Sequence, residues 1–244
     1  MLILQELIEE SARIVVFTGA GMSTDSGVPD FRTPNGVWSR YAPIDFQDFI
    51  SSQDMRDETW RRKILLDNEI GVPKPNQGHL KIAHMVEAGK VSHVITQNID
   101  NLHQNSGVPS AQVIELHGNG AYAKCLSCQA VYDIDEMKQR FKETQSAPNC
   151  EQCGGYVKSA TISFGQAMPE EPMQKALEAT QNCDLFIAIG SSLVVSPANQ
   201  FPLIAKQCGA RLVILNRDQT PLDTEADLVL NEDISQTLAE VKIV

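Results

Sequence analysis

No apolar run in this 244-residue chain approaches the roughly 20 residues that a bilayer-crossing helix needs, so a membrane span is not expected. The opening segment, Met1 to Ser11, carries Glu6, Glu9 and Glu10 and lacks the basic start of a secretory signal. Cations are scarce: 20 Lys and Arg stand against 31 Asp and Glu, a net charge of −11. Gripping a phosphate backbone takes clustered Lys and Arg, so direct nucleic-acid binding is not expected, and neither is a membrane partner. The acid excess suits a basic partner such as a lysine-rich peptide, or serves only to keep the chain in solution. Internal repeats and low-complexity stretches are also missing. With 42% hydrophobic and 21% charged residues, the composition excludes a disordered, collagenous or coiled-coil chain. The length fits one large domain, or one domain with a small insert. A chain of this size buries roughly 70–75% of its unfolded surface. A cytoplasmic protein is the expectation.

Six cysteines are present. Four fall in two pairs, Cys125-Leu-Ser-Cys128 and Cys150-Glu-Gln-Cys153, separated by 21 residues. This is close to zinc-ribbon spacing, in which each pair forms a tight knuckle and four thiolates complete a tetrahedron. Without a secretory signal, disulfides are disfavoured. One structural Zn2+ held by Cys125, Cys128, Cys150 and Cys153 is expected. Four thiolates leave no open coordination position, so such an ion holds structure and does no chemistry. Cys183 and Cys208 lie in apolar surroundings and read as inert thiols.

Short β-branched runs recur along the chain: Arg13 to Thr18, Val91 to Thr96, Gln112 to Leu116, Leu185 to Ile189, Arg211 to Leu215 and Asp227 to Leu230. Runs apolar on both faces point to buried parallel strands. Helical patterns alternate with them at Leu2 to Glu10, Asp54 to Asn68, Gly78 to Ala88, Glu171 to Thr180 and Ala198 to Cys208. The alternation predicts an α/β fold with a Rossmann-like, doubly wound parallel sheet. Two stretches interrupt it, about 33–90 and 119–159. They are expected to form a smaller zinc-ribbon and helical module inserted into a large part made of about 1–32, 91–118 and 160–244, all within one catalytic domain spanning 1–244.

Polar clusters stand where the predicted strands end. The first strand runs into Gly19-Ala20-Gly21-Met22-Ser23, where glycines let backbone N–H groups approach a pyrophosphate, or simply make a tight turn. The third glycine of the dehydrogenase fingerprint is missing, as is a second strand ending in an acid about 20 residues on, so hydride transfer is not expected. Thr96-Gln97-Asn98-Ile99-Asp100 brings two carboxamides and a carboxylate, which can fix sugar hydroxyls or an amide, or cap a helix. Glu115-Leu116-His117-Gly118 places an imidazole at another strand end, where it can act as a base. His79, His84, His93 and His103 read as packing or hydrogen-bonding residues. Gly190-Ser191-Ser192 and Asn216 add small hydroxyls and an amide at two further strand ends, suited to ribose and phosphate. Several clusters therefore converge on one edge of one sheet, the edge at which open α/β sheets bind ligands.

These residues resemble the sirtuin family, in family order from about Ser11 to the C-terminus. The stretch from Gly19 to Arg32 resembles its cofactor loop, and Thr96 to Asp100 its T-Q-N-I-D segment. Leu116-His117-Gly118 resembles its catalytic histidine motif, and the paired cysteines its zinc module. Gly190-Ser191-Ser192-Leu193 resembles its ribose-binding turn, and Asn216 its second ribose contact. The resemblance implies an enzyme that consumes NAD to remove acyl groups from protein lysines, giving nicotinamide, free lysine and O-acyl-ADP-ribose. It makes His117 the base that activates a ribose hydroxyl and Asn98 the residue that orients a ribose or a water. Asp100 with Ile99 would hold the nicotinamide carboxamide, and Phe31 would cover the reacting face. It further implies that Gly19, Ala20, Gly21, Ser23, Thr24, Arg32, Gln97, Ser191 and Ser192 line the cofactor, with Asp233 on the adenine side. The acylated peptide would add as a strand beside Phe164-Gly165-Gln166 and Val194-Val195, with Ile162 and Phe164 lining an acyl tunnel.

The segment from Val157 to Gln166 resembles the family's R-P-x-V-V-F-F-G-E but departs from it: Ser159-Ala160 replaces the Pro-led start, Ser163 a large aromatic and Gln166 a Glu. Family members that remove succinyl groups carry a Tyr and an Arg three residues apart in the helix after the cofactor loop. Aligned on Trp60, those places hold Lys63 and Leu66, so neutral acyl groups are expected. Arg61, Arg62 or Lys63 would serve a succinyl carboxylate only from a shifted register. Protein mono-ADP-ribosylation on the same scaffold, plain NAD hydrolysis, and a non-catalytic reader of acylated tails that binds NAD and zinc are the competing readings.

Overall fold

The computed structural model describes residues 2–30 and 36–243. Strands β1 (Ile14–Thr18), β2 (Val91–Thr96) and β3 (Val113–Glu115) come from the first half of the chain. Strands β4 (Gly118–Cys125), β5 (Val131–Asp133) and β6 (Val157–Thr161) follow, then β7 (Leu185–Ile189), β8 (Arg211–Leu215) and β9 (Leu228–Leu230). The helices, in chain order, are α1 (Leu2–Glu10), α2 (Val37–Arg40), α3 (Phe46–Ser51), α4 (Gln53–Ile70) and α5 (Gln77–Glu87). After them come α6 (Leu102–Asn105), α7 (Ile134–Thr144), α8 (Glu170–Gln181), α9 (Gln200–Gln207) and α10 (Ile234–Glu240).

A six-stranded sheet has the order β3-β2-β1-β7-β8-β9, with every pairing parallel. This is the doubly wound arrangement that the strand–helix alternation predicts, and its order reverses between β1 and β7. Strand β1 shows why the runs are apolar throughout. Ile14 and Val16 enter the core under α1, α5 and α10, while Val15 and Phe17 enter the core under α8 and α9. Period-2 alternation thus serves two hydrophobic layers at once.

The second sheet, β5-β4-β6, is antiparallel and belongs to the inserts. Its strands were not among the predicted runs. Gly118–Cys125 reads G-N-G-A-Y-A-K-C and Val157–Thr161 reads V-K-S-A-T, with little apolar signal in either. Their pairing is set by a compact core in which Trp60 of α4 meets Ile134, Met137 and Phe141 of α7 and Val157 of β6. The Trp60 indole N–H donates to the Val157 carbonyl at 3.1 Å, tying the first insert to the second. Of the segment 33–90, α5 packs on the large sheet instead: Ile82, Met85 and Val86 share a core with Val16 and Val94. Its N-cap Asn76 accepts from the His79 N–H and donates to the Met22 carbonyl at 2.9 Å, which anchors the loop after β1.

Candidate active site and metal centre

The reversal point between β1 and β7 is closed by backbone against backbone. The Gly19 N–H donates to Ile189 O at 3.0 Å, and the Gly21 N–H to Gly190 O at 2.8 Å. Gly190 has φ +62°, and a Cβ there would lie 2.3 Å from the Met22 nitrogen. Only glycine satisfies both demands. In this structure Gly19 and Gly21 therefore serve the close approach of two strand-end loops, a role that spacing alone does not reveal.

On this floor the polar clusters meet. The Asn98 amide donates to Gly19 O (3.0 Å) and to Ser23 Oγ (3.1 Å), and Ser23 Oγ donates to Asp100 Oδ2 (2.6 Å). Gln97 Nε2 donates to Ser191 Oγ at 2.8 Å, linking the end of β2 to the end of β7. The other carboxylate oxygen of Asp100 accepts from the Leu102 N–H at 3.0 Å, so the residue also starts α6. Both roles foreseen for Asp100, ligand contact and helix start, can thus be held by the same side chain. Thr24 Oγ1 bonds back to Gly21 O (3.1 Å), and Ala20 lies in the short helix of this loop. Ile99 O accepts from the Gly120 N–H at 2.7 Å.

His117 stands half-buried between the two sheets. Its Nδ1 lies 3.1 Å from the carbonyl of Gln97. A carbonyl only accepts, so Nδ1 carries the proton and Nε2 the lone pair. In the neutral ring the tautomer is thereby set by the backbone. Gly118 follows at φ +72°, where a Cβ would collide with Ala160 O at 1.9 Å. The Ile162 N–H donates to His117 O at 2.8 Å, so the chain returning from the module locks the turn.

Behind the floor lies a layer that sequence reasoning did not connect to it. Thr18 Oγ1 donates to Thr96 Oγ1 (2.8 Å), which accepts from the Asn98 N–H (3.0 Å). His103 Nε2 is 2.9 Å from Thr18 Oγ1, and the His103 and His79 rings lie 5.0 Å apart. Burial pushes both imidazoles down, to about 3 for His103 and about 4 for His79, so both are neutral at pH 7. The signal for this layer is a Thr ending each of two adjacent strands.

Other expected contacts lie farther out. Asn216 donates to Asp218 O (2.7 Å) at the end of β8, and Asp233 caps α10 by accepting from the Gln236 N–H (2.9 Å). Ser192 and Val194 are exposed, Val195 is half-buried, and Phe164 beside Gly165 packs edge-on to Trp38 at 5.3 Å. Ile162 is half-buried next to them. Phe31 and Arg32 lie outside the described residues.

The four paired cysteines converge, with all Sγ atoms within 4.8 Å of one another. Cys125 to Cys153 and Cys128 to Cys150 are each 3.5 Å. A tetrahedral zinc with Zn–S of about 2.3 Å sets its sulfurs about 3.8 Å apart, so the cluster fits the ion. The Ser127 and Cys128 N–H groups point at Cys125 Sγ, and Tyr132 Oη donates to Cys150 Sγ at 3.0 Å, pulling that thiol down to about 6.

The Sir2 family model matches residues 19–197. The chain belongs to the Sir2 family. An NAD-dependent protein deacetylase of Bradyrhizobium diazoefficiens is 54% identical over 235 residues, covering 96% of this chain and 92% of the relative. A solved structure of Sir2 with a p53 peptide and NAD+ superposes with a TM-score of 0.85 at 35% identity, over 97% of this chain and 94% of that one. Sir2 bound to an acetylated peptide gives 0.87 at 33% identity, over 98% and 95%. The Sir2 fold agrees with the parallel, Rossmann-like six-stranded sheet and the four-cysteine cluster of the inserted module. No helix among the described residues is long and apolar enough to cross a membrane.

Proposed function

We propose that this chain is an NAD-dependent protein lysine deacylase that transfers the acyl group to ADP-ribose and releases nicotinamide. The observation that carries the reading is His117 at the switch-point edge, its Nδ1 proton directed at the Gln97 carbonyl. A ribose hydroxyl is too weak an acid to attack unaided at pH 7, and Nε2 of this tautomer accepts its proton. Asn98 and Asp100, braced through Ser23, hold the sugar and the carboxamide of the co-substrate. Ser191, Ser192 and Asn216 bind ribose hydroxyls, and Asp233 contacts the adenine side. Gly19, Ala20, Gly21 and Thr24 shape the pyrophosphate turn, and Phe31 and Arg32 complete the cofactor loop.

Acylated lysine peptides bind as an added strand between Phe164-Gly165 and Val194-Val195. The exposed apolar side chains of Phe164 (45%) and Val194 (52%) support this placement. Zinc on Cys125, Cys128, Cys150 and Cys153 supplies a structural crosslink when bound. The protein works in the cytoplasm, where a reducing medium keeps such thiols available. Incubation with NAD and an acetyl-lysine peptide, followed by mass spectrometry, tests the reading. Deacetylated peptide with O-acetyl-ADP-ribose is the expected outcome. ADP-ribosylated protein, or plain ADP-ribose with the peptide unchanged, would replace it with another reaction.

A further inference from the structure

A cavity of about 400 Å³ lies on the far side of the His117 turn, between the small sheet, β3 and the start of α8. Lys124, Lys158, Lys175, Tyr122, Ser159 and Gln166 are among its walls. Lys124 and Lys158 are direct partners across the β4–β6 ladder. Directly opposed side chains stand about 5 Å apart at Cβ on one face, and like charges there repel. Lys158 is only 2% exposed. Its ammonium donates to Thr161 O (2.6 Å) and Ser159 O (3.3 Å), oxygens that carry no formal charge. A buried ammonium without a counter-charge is costly, and burial alone draws this one down to about 8.

The two acids at the wall, Glu115 and Glu171, have partners other than Lys158. Glu115 accepts from Gln104 (2.6 Å) and Asn119 (2.5 Å), and Glu171 pairs with Lys175 at 2.7 Å. Glu171 does reach Lys124 electrostatically, but without forming an ion pair. Ser159 Oγ is buried with no hydrogen-bond partner among the described residues. Gln166 stands where the related motif has Glu, so a neutral amide takes the place of a third carboxylate on this wall. Its Oε1 accepts from the Ser163 N–H at 3.1 Å, leaving the NH2 as its donor end. The wall therefore sets three lysines against two carboxylates, neither of which pairs with Lys158, in a chain whose net charge is −11.

We propose that this cavity is a second ligand site, which binds a small organic polyanion bearing carboxylate or phosphate groups between Lys124 and Lys158. It is separate from the cofactor edge and stands whether or not the deacylase reading holds. Its size suits a metabolite of that class. Such a ligand supplies the charge that the opposed lysines lack. Because β3 and Ile162 also line the cavity, it braces the His117 turn from behind.

The test is a thermal melt with NAD saturating in every sample, so that the cofactor edge is filled. Citrate and inorganic pyrophosphate are the two probes, each set against sodium chloride of matched ionic strength. At about 100 times Kd, a rise of about 5 °C or more is expected in the wild type. A response to one probe only supports the site and names the acid group. Lys158→Met keeps the volume and removes the charge, and Gln166→Glu supplies an internal counter-charge; each is expected to abolish the rise. Gln166→Glu should also melt no lower than wild type without any anion, and it keeps the test valid if Lys158→Met does not fold. No rise beyond chloride, or an equal rise in Gln166→Glu, overturns the proposal.

Discussion

The large sheet and the inserted module solve the same stability problem with different means. The sheet is covered on both faces, and all five residues of β1 and of β7 are buried. The module has one small core around Trp60, and two of the residues in that core are the cysteines Cys125 and Cys150. A core this small needs a crosslink, and the four-sulfur cluster is placed to hold one. The sheet should therefore survive without metal, and the module should not. Most of the residues proposed to bind the co-substrate stand at strand ends of the sheet, and the proposed peptide strand would lie between the two parts.

The sharpest break in that comparison is Cys150→Ser. It should release about one zinc per chain and abolish deacylation, while far-UV circular dichroism still reports most of the sheet. Loss of all secondary structure, or full activity without zinc, would show that the two parts are not independent in this way. His117→Ala acts on the opposite side of the comparison. The rate should fall about 10²–10⁴-fold with the melting temperature and zinc content unchanged, and retention of more than about a tenth of the activity would remove His117 from its role. Trp60→Ala probes the seam within the module and should cost about 3–5 kcal/mol there, read as weakened zinc retention. A stability loss that spares zinc binding would mean that the indole supports the sheet.

Acyl preference follows in size. Lys63 is paired with Asp67 at 2.6 Å, and Asp67 also accepts from Lys138 at 3.0 Å. Arg61 and Arg62 both pair with Glu58. Each cation that could meet a succinyl carboxylate already has an acid partner, and burying a carboxylate without one costs several kcal/mol. The kcat/KM for an acetyl peptide should exceed that of its succinyl counterpart at least about tenfold; equal values would place a cation in the tunnel.

The smallest effect is acid sensitivity of the sheet. His79 and His103 have folded pKa values near 4 and 3, below the unfolded value of 6.5. Their contribution is complete above pH 6.5 and is lost as pH falls toward those folded values. At pH 5.5 each costs about 1.4 kcal/mol. With zinc held constant, His103→Gln should flatten the melting temperature between pH 7.5 and 5.5, and an unchanged slope would assign the acid effect elsewhere.

The sequence revealed the two parts unequally, and for a physical reason. Strands buried on both faces are apolar nearly throughout, so β1, β7 and β8 announce themselves. Strand β4 alternates small and polar residues, and its neighbours come from across the module; nothing local marks it. The union of Trp60 with Val157 joins residues 97 positions apart, beyond any periodicity. At the candidate site, the gathering of Asn98, Asp100 and His117 at one edge was legible because each stands just past the end of a parallel strand. The Thr18–Thr96 bridge and the unmatched Lys158 were not, because each draws its meaning from a neighbour that only the folded chain supplies.

The short passage from β3 to β4 carries a mechanical consequence. His117 lies between the last residue of one sheet and the first of the other, and the chain coming back from the module is bonded to its carbonyl. A point on a hinge line is displaced least when the two leaves swing. Any shift of the module against the large sheet about this joint would therefore displace the His117 backbone less than residues farther out on either sheet.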